Sequence, residues 1–230
     1  MHIVAVIQAR MGSSRLPCKA MLHLHGLPLI DWVLHRVGKS RLLDEIKVAI
    51  PEAPLDDVLA FHLENRGIGF CRGSENDVLE RFCQAARETG ATHIVRVCAD
   101  NPLIWGAEID NLIRHYQEQP EQENLYAYNH IPRNNAYADG LGAEMVSAPL
   151  LFGLEEKATL PTHREHCLSY IWDNPQKYCI STFDPPDKRL HHPEIRLDVD
   201  TAEDYRRLSL MAIHPDMGPQ EVILRYPRAD

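Results

Sequence analysis

The apolar positions of the chain fall into short runs and helical stripes that alternate along its first half. Ile3-Val4-Ala5-Val6-Ile7 is a continuous apolar run bounded by Gln8, which predicts a strand buried on both faces. Pro28 to Gly38 carries Leu29, Ile30, Val33, Leu34 and Val37 at helical spacing. Glu45 to Ile50 predicts a second strand ended by Pro51, a helix follows from about Leu55 to Asn65, and Ile68 to Cys71 predicts a third strand. Asn76 to Thr89 is amphipathic, with Val78, Leu79, Phe82, Ala85 and Ala86 on one face and Gly90 as its stop. His93 to Cys98 reads as a strand and Ala107 to Gln119 as a helix ended by Pro120. This alternation is the signature of an α/β fold with a mostly parallel sheet and helices on both faces.

The pattern loosens after residue 120. Leu125 to Asn129 and Ala143 to Ser147 predict strands separated by a loop rich in Asn, Asp, Gly and Tyr. Helices are predicted over 149–157 and 162–172, and strands over 178–183 and 194–200. Thr201 then caps a helix with an acid three residues on, and 219–224 predicts a short final helix. Composition changes this picture little. A length of 230 residues predicts one domain spanning 1–230, with 125–148 as an excursion from it. The formal charge of -9 argues against nucleic-acid binding, and no apolar run approaches the roughly 18 residues that cross a membrane. With core sequence beginning directly after Met1, the chain is expected to be cytoplasmic. The six cysteines are scattered without a C-x-x-C pair and read as free, mostly buried thiols.

The candidate chemistry begins in the loop after the first strand. Gly12, Ser13 and Ser14 let a backbone curl around an anion, and Arg10, Arg15 and Lys19 supply opposing charge, so this stretch outlines a phosphate cradle. It is neither a Walker loop nor a G-x-G-x-x-G, which disfavours a dinucleotide-binding reading. Asp100 stands just past a buried strand, where ligands bind in open parallel sheets; facing a ligand and capping the next turn are equal readings there. Alternation puts Asp198 and Asp200 on one face, which suggests a hard cation such as Mg²⁺, while Asp200 could also cap the helix at Thr201. Asp139 to Glu144 taken alone is a turn. His163, His166 and Cys167 share a helical face without a visible fourth ligand, so a partly buried helix or a substrate contact from Arg164 is preferred to zinc.

Together these stretches resemble a known family. Ile7-Gln8-Ala9-Arg10-Met11-Gly12-Ser13-Ser14-Arg15-Leu16-Pro17-x-Lys19 looks like the N-terminal signature of the cytidylyltransferases of the spore-coat polysaccharide (SpsF) group, relatives of the CMP-acylneuraminate and CMP-Kdo synthetases. Gly73-x-x-x-Asp77-Val78-Leu79-x-Arg81, Arg96-x-x-Ala99-Asp100-Asn101-Pro102-Leu103-Ile104, Asp139-Gly140-Leu141-x-x-Glu144, Arg164-Glu165-His166 and Leu197-Asp198-Val199-Asp200-Thr201-x-Glu203-Asp204 follow in family order. The resemblance implies a GT-A-like, Rossmann-related three-layer sandwich that transfers CMP from CTP to an acidic sugar and releases pyrophosphate. It implies that Gln8, Ala9, Arg10, Gly12, Ser13, Ser14, Arg15 and Lys19 hold the nucleotide with Arg72, Ala99 and Asp100. Asp100, Asp198 and Asp200 would hold Mg²⁺, and Asp139, Glu144, Arg164 and His166 would receive the sugar. Arg10, Lys19, Asp100 and Asp200 would be the catalytic set, and 125–148 resembles the arm through which relatives dimerise. Two other readings are a nucleotidyltransferase of the same fold that uses a sugar phosphate with another NTP, and a nucleotide-binding module without turnover. Cys18 departs from the family, which usually has Gly there.

Overall fold

The opening apolar run sits where its pattern requires, in the interior of a sheet. β1 (Ile3–Gln8) pairs in parallel with β4 (Glu45–Pro51) on one side and β6 (His93–Cys98) on the other. Its Ile3, Ala5 and Ile7 enter one apolar cluster and Val4 and Val6 the opposite one, so both faces are covered. The computed structural model describes residues 1–120 and 122–227. Seven strands are ordered β5-β4-β1-β6-β8-β7-β9, with β5 at Phe70–Gly73, β7 at Leu125–Tyr128, β8 at Glu144–Ser147 and β9 at Cys179–Ser181. Among the described residues of this sheet, only β8 runs against the others, antiparallel to both β6 and β7. A hairpin of β2 (His23–Leu24) and β3 (Leu27–Pro28) lies outside the sheet.

Helices α1 (Leu29–Val37), α2 (Asp57–Asn65) and α4 (Gly106–Glu118) cover one face through residues such as Val33, Leu63 and Ile113. α3 (Val78–Thr89) and α5 (Ala148–Lys157) cover the other through Phe82, Cys83 and Leu151, giving three layers. A third apolar cluster joins Trp32 of α1 to Leu197, Val199 and the terminal helices α8 (Ala202–Leu210) and α9 (Pro219–Arg225). Residues 125–148 contribute two strands to the sheet, and Tyr137, Ala138 and Leu141 between them are buried in the third cluster.

Two expected elements differ. The segment 162–172 is two short helices, α6 (Pro161–Glu165) and α7 (Ser169–Asp173), because His166 leaves helical geometry at φ -105, ψ 74 and lets Cys167 and Leu168 turn into the core. Of the stretch 194–200, Glu194 lies in a turn and the rest makes a single bridge, Asp139 to Arg196, instead of joining the sheet. Its apolar Ile195, Leu197 and Val199 bury in the third cluster. Its backbone is satisfied by loops: Leu197 N donates to Asp139 O at 2.9 Å and Val199 N to Asp100 O at 2.7 Å. Gly140 permits this approach, with φ +86 and a position where a Cβ would lie 3.0 Å from Asp198 N.

Candidate active site

Parallel register places Gln8 beside Cys98, so the chain leaves β1 and β6 at the same edge of the sheet. A cleft of about 260 Å³ opens there. The first loop contributes Ala9, Arg10, Ser13, Ser14, Arg15 and Lys19 to its lining, and the segment after β6 contributes Ala99 and Asp100. Asp200 closes one side; Glu165, His166 and the start of α3 close another.

The loop is pinned at Met11. Its carbonyl accepts the N–H groups of Ser13 and Cys18, both at 2.9 Å, and its own N–H donates to the buried Asp56 at 2.7 Å. Burial pushes the Asp56 carboxyl up, and that N–H opposes the shift. Cys18 has φ 58, in the left-handed region that favours glycine. Its side chain packs against the core and is not among the cleft-lining residues.

Each cation of the loop meets a carboxylate. Lys19 Nζ lies 3.0 Å from Asp100 Oδ2, 3.1 Å from Asp200 Oδ1 and 3.1 Å from the Val199 carbonyl. Arg15 reaches the other oxygen of Asp200 at 3.1 Å, and Arg10 reaches Glu165 at 3.4 Å. Burial pulls the Lys19 pKa down, but Asp100 and Asp200 outweigh it and raise it above the ordinary value, so the group is an ammonium at neutral pH. Two half-buried carboxylates converging on one cation are hard oxygen donors, which suit a divalent ion such as Mg²⁺.

The other expected residues are placed less directly. Asp198 is buried and gripped by Arg196 at 2.6 and 3.2 Å, behind the cleft wall. Asp139 lies 3.7 Å from the same arginine. Burial and the neighbouring Asp198 charge push Asp139 up to about 6, with Arg196 opposing. Glu144 is buried with both oxygens engaged: Tyr126 donates to one at 2.7 Å and Arg96 pairs with the other. Burial raises the Glu144 pKa, yet Arg96 and His130 bring it below the ordinary value, so the pair is held charged. Arg164 turns from the cleft to Asp77, the cap of α3, while its neighbours Glu165 and His166 face inward. Arg72 is consumed by Asp57 at 2.7 Å and by the carbonyls of Pro51 and Ala53.

Six residues outside the expected set line the cleft: Ala20, Val78, Arg81, Arg96, Cys98 and Glu165. Arg96 donates to Gln8 Oε1 at 3.2 Å, which places the charged Arg96–Glu144 pair beneath the end of β1. Arg81 is buried against backbone carbonyls of Ser74 and Glu75, with its Nε unpartnered. Arg81, Arg96 and Glu165 belong to the motif stretches, but a polar residue in a strand or first helical turn carries no mark of facing a ligand. The zinc alternative separates in space: His163 pairs with Asp173 at 2.8 Å, His166 lines the cleft and Cys167 is fully buried.

Known proteins resemble this chain in sequence and in fold. The chain is 32% identical over 230 residues to the spore coat polysaccharide biosynthesis protein SpsF of Bacillus subtilis, covering 96% of this chain and 92% of that protein. A solved cytidylyltransferase from Leptospira borgpetersenii superposes with a TM-score of 0.85 at 28% identity, covering 97% of this chain and 92% of that one. A solved CMP:2-keto-3-deoxy-manno-octonic acid synthetase in complex with CTP shares the fold, with a TM-score of 0.66 at 16% identity over 91% of this chain and 97% of that one. Residues 4–214 match the cytidylyltransferase family, and the chain belongs to that family of nucleotidyltransferases.

Proposed function

We propose that this cytidylyltransferase takes CTP and transfers CMP to an acidic sugar, releasing pyrophosphate, in the synthesis of a surface polysaccharide or related glycan. The observation that carries this reading is the convergence of Lys19, Asp100 and Asp200 beside a serine-rich, cationic loop. Nucleotidyl transfer needs charge neutralisation around the α-phosphate and a stabilised pyrophosphate leaving group. In this reading Arg10, Arg15 and Lys19 meet the phosphates, with Ser13, Ser14 and Ala99 shaping the cradle. Asp100 and Asp200 would hold a divalent ion, with Asp198 behind them, and Mg²⁺ would lower the charge on the phosphates when bound.

An acidic acceptor is supported by the relative that makes CMP-2-keto-3-deoxy-manno-octonic acid. In this reading the cleft-lining His166 meets the sugar with Asp139, Glu144 and Arg164; Glu144 holds the cleft-lining Arg96, and Arg164 pairs with Asp77 at the start of α3. The protein acts in this reading as a cytoplasmic single-domain homodimer, with 125–148 contributing to acceptor binding and to the dimer contact. Among the described residues no helix is long and apolar enough to cross a membrane.

The test is a pyrophosphate-release assay with each NTP and Mg²⁺ against a panel of 2-keto-3-deoxy sugar acids. Release is expected with CTP and one of the acids. Asp200→Asn is expected to keep the fold and lose metal-dependent turnover. Release with UTP or ATP but not CTP overturns the proposal, as does near wild-type turnover in Asp200→Asn for the metal assignment.

A further inference from the structure

An ammonium has three N–H donors, and those of Lys19 face three acceptors: Asp100 Oδ2, Asp200 Oδ1 and the Val199 carbonyl, at 3.0 to 3.1 Å. A lysine so engaged has no donor left for a phosphate. The same two carboxylates are the oxygen donors that fit a divalent ion. Lys19 and that ion therefore compete for one position, and a phosphate competes with the carboxylates for Lys19.

We propose that Lys19 is the stand-in cation of the ligand-free cleft, and that a divalent ion displaces it from Asp100 and Asp200, freeing its ammonium for the triphosphate. Lys19 then has two successive tasks. Before binding it is a positioning residue that cancels the repulsion between the two carboxylates and keeps them converged. After exchange it neutralises phosphate charge. Arg15, tied to the remaining oxygen of Asp200, is released by the same event. Metal and nucleotide consequently favour one another's binding, because each removes the partner that holds the other's ligands. The proposal rests on the reading that this cleft takes a metal–nucleotide complex, but not on which base or sugar is used.

The test is a titration of the whole protein with Mn²⁺ alone, followed by electron paramagnetic resonance in the absence of nucleotide. Lys19→Met removes the competing cation and is expected to bind Mn²⁺ at least roughly tenfold more tightly than the parent chain. Mn²⁺ is also expected to raise the Tm of the variant more than that of the parent. Lys19→Gln, uncharged but polar, is expected to do the same and provides a second reading if the methionine variant does not fold. Adding Asp200→Asn to either variant is expected to abolish the gain, which assigns it to this position. Equal or weaker Mn²⁺ binding in the Lys19 variants overturns the proposal. So does a gain that survives Asp200→Asn. No nucleotide or sugar enters the titration, so its outcome is separable from the choice of CTP as substrate.

Discussion

Asp139 shows how a single carboxyl can report on its surroundings. Burial and the charge of Asp198 raise it from 3.8 to about 6, so the folded chain retains a proton that the unfolded chain releases between those values. Stability from this group therefore declines as pH rises through that window. Asp139→Asn removes the decline and is expected to gain up to about 1–3 kcal/mol over the parent at pH 7.5 while matching it near pH 4. Urea unfolding at both pH values checks it, and an advantage that does not grow with pH counts against it. At this scale legibility was uneven. Lys19, Asp100 and Asp200 are grouped in advance by the resemblance; Asp100 stands just past a sheet strand, whereas Asp200 ends a stretch that lies outside the sheet. The triplet Arg164-Glu165-His166 could not be sorted in advance. The turn at His166 ends α6 and sends Arg164 to the cap of α3 and its two neighbours to the cleft.

Elements are joined by contacts that no periodicity announces. Arg36 lies on α1 with no exposed surface, and burial lowers its pKa to about 9 with only Asp216 opposing. It donates to Ile104 O at 2.8 Å, Pro215 O at 2.9 Å, Met217 O at 3.0 Å and Leu103 O at 3.3 Å, and it stacks 4.5 Å over Trp105. It thus anchors both the segment that follows Asp100 and the connection to α9. Arg36→Met leaves buried carbonyls without donors and is expected to cost more than about 3 kcal/mol of stability, measured by denaturant unfolding. A loss below about 1 kcal/mol would show those carbonyls re-paired elsewhere. A helix pattern alone reads such an arginine as solvent-facing. The stretch 194–200 failed for a related reason: alternation reports one buried face, and the third apolar cluster supplies that face as well as a sheet does.

For the molecule as a whole, the strand–helix alternation to residue 119 foretold the layered architecture and the edge at which the cleft opens. The reversed β8 was not legible, because four residues from Glu144 to Ser147 read the same in either direction. Nor was the Arg96–Glu144 pair, which exists only because β6 and β8 run antiparallel with Arg96 opposite Glu144.

The pairing of Arg10, Arg15 and Lys19 with carboxylates has a kinetic meaning. A chain of formal charge -9 whose loop cations are already matched casts little attractive field toward an approaching polyanion. Nucleotide association is therefore expected to be flat or to quicken as ionic strength rises, since salt screens repulsion and there is no attraction for it to weaken. Stopped-flow rates across a salt series measure this; a steep slowing with salt would reveal a steering field. Such an enzyme selects its substrate after encounter, by trading ion pairs at close range, and leaves the approach itself to diffusion.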